Sequence, residues 1–144
     1  MLKKKQDISP EIAPELAKRF VDFTKSIEGI DLDYSVQSLE LVDGILEGMR
    51  ETGLNVKEQH LTLIIAGCYI GEIIIRLHNL RWVRSEITPY SKWSGMVPIV
   101  IEYGQDKYTS PINKVIKRLE NGKEDHLPFY YQALCKQIEE GPEE

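Results

Sequence analysis

Between Leu61 and Leu77 the chain is apolar on nearly every side of a helix and is broken only by Thr62, Glu72 and Arg76. A segment like this has no face to give to water, so it must be either the hub of a core or a membrane span. Its uncharged part, Leu61 to Gly71, is about half the roughly 20 residues that a bilayer requires. The sequence therefore predicts a buried core helix starting near Val56, and no membrane association. A chain of 144 residues can withdraw roughly 70% of its unfolded surface from water, enough for one core but not two. One domain is expected over residues 10–138, preceded by a flexible polar arm at 1–9 and followed by an acidic tail at 139–144.

The remaining elements must cover that hub. From Pro10 to Ile27, the residues Ile12, Leu16, Phe20, Phe23 and Ile27 recur at helical spacing, which predicts an amphipathic helix ending near Gly29. A second helix, capped by Asp33 or Ser35, runs to Thr52-Gly53 with Leu39, Val42, Leu46 and Met49 inward. Beyond Leu80, Arg81-Trp82-Val83-Arg84 and the run Met96 to Tyr103 are β-branched and aromatic and read as strands, with Pro98 at a strand start, edge or bulge. Gly104-Gln105-Asp106 offers a turn from which Lys107-Tyr108-Thr109 can return as a hairpin partner. Ser110-Pro111 is a cap followed by a proline at the first helical position, and Asn121-Gly122 is the matching stop. A last helix spans Asp125 to Ile138. The expected class is α+β: three N-terminal helices around a central apolar helix, a small antiparallel sheet of two or three strands, and two C-terminal helices.

Eighteen basic against 23 acidic side chains leave a net charge of -5, which repels a phosphate backbone and argues against general nucleic-acid binding. Cys68 and Cys135 are too few for a disulfide framework, and neither has a nearby cysteine to form a CxxC pair. Both read as buried thiols. The Lys3-Lys4-Lys5 start runs into polar residues where a signal peptide needs an apolar stretch, so a cytoplasmic setting is expected. His60, His78 and His126 show no metal-ligand spacing, and no GxSxG, Walker A or GxGxxG signature is present. No cofactor is expected.

Five features carry candidate chemistry. Gly67 and Gly71 lie on one face of the hub helix, and Gly44 and Gly48 repeat the spacing on the second, so either helices cross closely there or a groove opens for a ligand. Glu72 sits in apolar surroundings one turn from Arg76, as an internal ion pair or as a general acid or base, with Tyr69 beside it. Lys114, Lys117 and Arg118 form a basic helical face suited to an acidic partner, or simply a solvated one. Glu40, Asp43 and Glu47 belong to an opposing acidic face, making the molecule electrostatically two-sided. Tyr90 and Trp93 lie on the Ser85–Gly95 connection, as interface anchors or as loop packing.

The order of Gly67-Cys68-Tyr69-Ile70-Gly71-Glu72 with Arg76, then Arg81-Trp82-Val83, then Pro111-Ile112-Asn113-Lys114-Val115-Ile116-Lys117-Arg118 resembles an uncharacterised family of bacterial hypothetical proteins. That pattern has a Gly-x-Tyr-x-Gly-Glu helix, a Trp-containing strand and a Pro-x-x-Lys-Val-x-Lys-Arg helix. The resemblance implies a bacterial intracellular domain and no particular substrate. The absence of catalytic signatures, the charge asymmetry and the loop aromatics lead to the expectation of a non-catalytic protein-binding or regulatory module, of accessory or toxin-immunity type. The alternatives are a small-molecule sensor or enzyme using Glu72 and Arg76, and a homodimer packed through glycine faces or a strand edge.

Overall fold

The computed structural model describes residues 7–140. The chain runs through α1 (Ala13–Glu28), α2 (Ser38–Glu51), α3 (His60–His78), β1 (Arg81–Arg84), β2 (Ile99–Gly104), β3 (Lys107–Thr109), α4 (Pro111–Asn121) and α5 (Leu127–Glu140), with short 3₁₀ turns between. The three strands form an antiparallel sheet in the order β1-β2-β3, so the fold is α+β. The proposed arm falls mostly at residues 1–6, outside the described residues. Asp7 is tied to Arg84 of β1 (3.1 Å) and Ile8 packs on the core, so these two residues join the body. Of the acidic tail, Glu139 and Glu140 complete α5; the rest lies outside the described residues.

Helix α3 is the hub: every residue from Leu63 to Ile74 is buried. It is long and apolar enough to cross a membrane, and 67% of its most apolar stretch is buried inside the fold. It begins at His60 rather than near Val56, because Asn55 holds the preceding turn, its side-chain oxygen accepting from the Glu58 amide (2.9 Å). Helix α1 covers one side with Ala13, Leu16, Ala17, Phe20 and Thr24. Phe23 and Ile27, expected inward, are exposed. Ile27 continues the inner stripe by angle, so the last turn of α1 overshoots what it covers.

Helix α4 covers another side of α3, and its start follows the sequence signal: the Ser110 side chain accepts from the Asn113 amide (3.0 Å) with Pro111 next. Gly122 ends it at φ 86°, ψ -148°, a region open essentially to glycine alone. The hairpin also forms as expected, with Asp106 at φ 58° in its turn and an irregularity between Glu102 and Gly104. Pro98 precedes β2, where its carbonyl accepts from the Ser85 amide (2.9 Å).

The two hub glycines admit close neighbours. A Cβ on Gly67 would lie 2.6 Å from the Ile112 Cα, and one on Gly71 would lie 2.1 Å from the Trp82 ring. Gly67 thus lets the start of α4 touch the helix, and Gly71 seats an indole from the sheet. Both are filled from within. By contrast, a Cβ at Gly44 or Gly48 meets nothing within 4 Å, so the α2 pair is not a crossing point.

This contrast predicts opposite outcomes for one substitution. Gly44→Ala and Gly48→Ala should each stabilise the fold by about 0.5–1 kcal/mol, since alanine is the better helix former. Gly67→Ala should destabilise it by about 1–3 kcal/mol through overpacking against backbone. Urea-unfolding midpoints of the three variants check both signs.

Candidate functional site

Tyr69, Glu72 and Arg76 belong to one polar seam beside the hub. The Glu72 carboxylate accepts from Trp82 Nε1 (2.9 Å) and lies 3.4 Å from Arg76 Nε. The Arg76 guanidinium stacks 3.9 Å above the Tyr34 ring. Tyr34 is at φ 64°, a strained conformation for a bulky residue, and its amide donates to the Tyr69 hydroxyl (2.8 Å). That hydroxyl is also hydrogen-bonded to Ser38 Oγ (2.7 Å), tying α3 to the start of α2. Every buried polar atom of the seam has a partner, and a carboxylate engaged by both an indole and a guanidinium orients two elements. Its geometry fits positioning of the 29–38 connection rather than reception of a ligand.

Arg118 corrects the reading of the basic face. It is 1% exposed and makes a two-pronged contact with Asp43 (2.8 and 3.0 Å) plus a bond to Glu47 (2.9 Å). Asp43 also accepts from the Leu127 amide (2.9 Å). The basic and acidic sets of the sequence therefore meet inside the molecule, and the two-sided arrangement loses Arg118, Asp43 and Glu47. Burial pushes the Asp43 carboxyl up, but Arg118 and the Leu127 amide more than reverse this and hold it below the usual carboxylate value. Lys114 is likewise committed, 2.7 Å from Asp125. Lys117 alone of the three stays exposed.

Lys117 shares a groove with the loop aromatics. Tyr90, Trp93, Met96 and Val97 form one wall and Asn113, Ile116, Lys117 and Glu120 of α4 the other, enclosing about 510 Å³. Trp93 is 53% exposed, lies edge-on to Tyr90 (centroids 6.3 Å apart), and has the Lys92 ammonium 5.2 Å from its ring. The loop carrying it is internally braced. Ser85 Oγ donates to the Val97 carbonyl, Thr88 Oγ1 to the Ser85 carbonyl (2.8 Å), and the Val97 amide to the Trp93 carbonyl (2.8 Å). His60 Nε2 at 3.2 Å from the Met96 carbonyl fastens it to α3. Met96 and Glu120 also border a shallower groove of about 990 Å³, with Arg50, Leu54 and Lys57 on its far side. Sequence reasoning missed these three, because nothing local marks the 50–57 turn as a neighbour of α4.

The remaining expectations divide. Cys68 is fully buried, and burial together with the Glu72 charge pushes its thiol up to about 12, as an inert core residue requires. Cys135, expected to be buried too, is only half-buried. Neither Glu72 nor Arg76 lines either groove. Among the described residues, no three His, Cys, Asp or Glu side chains are grouped to hold a metal ion. No protein-family model, curated protein or solved structure matches this chain.

Replacing Arg118 by Met should cost about 3–5 kcal/mol at neutral pH, since it strands a buried carboxylate. Because the Asp43 pKa is lowered by folding, the wild-type contribution is present above the unfolded carboxylate value of about 4 and is lost as pH falls below it. The stability gap between wild type and Arg118→Met should therefore shrink below about pH 4, as followed by urea titrations at several pH values.

Proposed function

We propose that this protein is a non-catalytic binding module that takes an acidic, apolar-bearing segment of a partner protein in the groove between α4 and the 85–98 loop. The observation that carries this reading is the convergence of Tyr90 and Trp93 of the loop with Lys117, distant from them in sequence, on one groove. Trp93 and Met96 offer large exposed apolar area on a hydrogen-bonded loop, where ordering costs little on association. Buried side chains of this kind dominate interface energetics.

The choice of partner follows from charge. Arg50, Lys57 and Lys117 border the two joined grooves against the single carboxylate of Glu120, although the whole chain is acidic. Such a local reversal attracts acidic segments. Charged groups at the rim set association rate and salt sensitivity, while the aromatic supplies residence time.

Affinity capture from the host lysate with the wild type, Trp93→Ala and Lys117→Glu tests this. The expected result is one stoichiometric protein held by wild type at low salt, released at high salt, and lost from both variants. Trp93→Ala should weaken the purified complex by about 30-fold or more, with no change in melting temperature. A protein held equally well by both groove variants, or capture of no protein at all, overturns the proposal.

A further inference from the structure

The C-terminal end of α3 and the middle of α5 bring three side chains together that the groove does not use. His78 Nε2 lies 2.9 Å from the Tyr131 hydroxyl and 3.6 Å from Cys135 Sγ. The His78 and Tyr131 rings are tilted at 49° with centroids 5.8 Å apart, which holds the imidazole edge toward α5. Cys135 and His78 are half-buried, whereas the only other cysteine, Cys68, is sealed in the core. The two thiols of this chain are thus placed in opposite circumstances, one sealed in the core beside the Glu72 charge and one half-buried against an imidazole nitrogen.

We propose that Cys135 is a modification site, a thiol that His78 deprotonates for exchange with small organic disulfides. In the step, His78 Nε2 takes the proton of the Cys135 S–H as the sulfur attacks one sulfur of the incoming disulfide. A new S–S bond forms, the old one breaks, and the departing sulfur receives the proton from His78. Cys135 is oxidised to a mixed disulfide while half of the reagent is reduced to a thiol. A neutral imidazole has one accepting nitrogen, so the Tyr131 hydroxyl competes with the thiol for Nε2. Burial, and after it the neighbouring Cys135 side chain, push the Tyr131 phenol upward, so it stays a hydrogen-bond donor, and while it occupies Nε2 it acts as a brake on the exchange.

The chromogenic disulfide dithiobis(nitrobenzoate) reads this directly on the folded full chain. Wild type should release about one equivalent of chromophore rapidly, matching the single thiol with a histidine at hand. Peptide mass mapping should place the adduct on Cys135, and Cys135→Ser should abolish the fast phase while Cys68 reacts only after urea is added. His78→Asn should slow the fast phase by about tenfold or more. Tyr131→Phe, which removes one hydroxyl and leaves the ring in place, should accelerate it. A fast phase that survives Cys135→Ser, an unreactive native protein, or a Tyr131→Phe variant that reacts no faster than wild type overturns the proposal. The last comparison decides even if His78→Asn does not fold.

Discussion

Asp43 accepts two hydrogen bonds from the Arg118 guanidinium and a third from the Leu127 amide, so one carboxylate fixes α2, α4 and the first residue of α5 against each other. A carboxylate taken out of water is costly unless it is paired and fully hydrogen-bonded, and this one meets both conditions. Apolar contacts alone would let the three helices slide by fractions of a turn. The fork of the arginine admits one orientation, and Glu47 on the next turn of α2 holds the same guanidinium from the side. The position of α4 depends on this clamp, and with it one wall of the groove.

A second polar seam sets the other end of the molecule. Trp82, Glu72, Arg76, Tyr34, Tyr69 and Ser38 form a continuous chain of contacts from the sheet through α3 to the start of α2. Strain at Tyr34 is offset by the hydrogen bond from its backbone amide to Tyr69 and by the stacked guanidinium, the second of which needs the aromatic ring. The hub helix thus works through polar side chains as well as apolar ones, and the few polar residues that interrupt its sequence mark where its neighbours are oriented.

Local rules made most of the architecture legible. The α+β class, the hub helix, the Ser110 cap, the Gly122 stop and the hairpin all follow from periodicity and turn chemistry, which act within a few residues. Failures came where a residue answers to a distant partner. Arg118 sits at the flank of the inner face of α4, and its burial makes sense only beside Asp43, far earlier in the chain. The signal was nevertheless present on α2. Asp43 is four residues after Leu39 and three before Leu46, inside the apolar stripe, where a carboxylate demands a cation. The groove was half legible: Tyr90, Trp93 and Lys117 each stood out by residue type, but only the folded chain shows that they face the same space.

The apolarity of α3 also has a bearing on how the protein is made. Synthesis proceeds from the N-terminus, so α1 and α2 are available when α3 emerges, but α4 is not. At roughly 5–20 residues per second, the translating chain carries a half-covered hydrophobic helix for a few seconds before its second cover exists. During that interval, the face around Gly67, which ends up against Ile112, is open to any other apolar surface nearby. The order of elements along the gene product makes α4 the closing piece, and a ribosome that stalls before Pro111 leaves behind a chain suited to chaperone capture or aggregation.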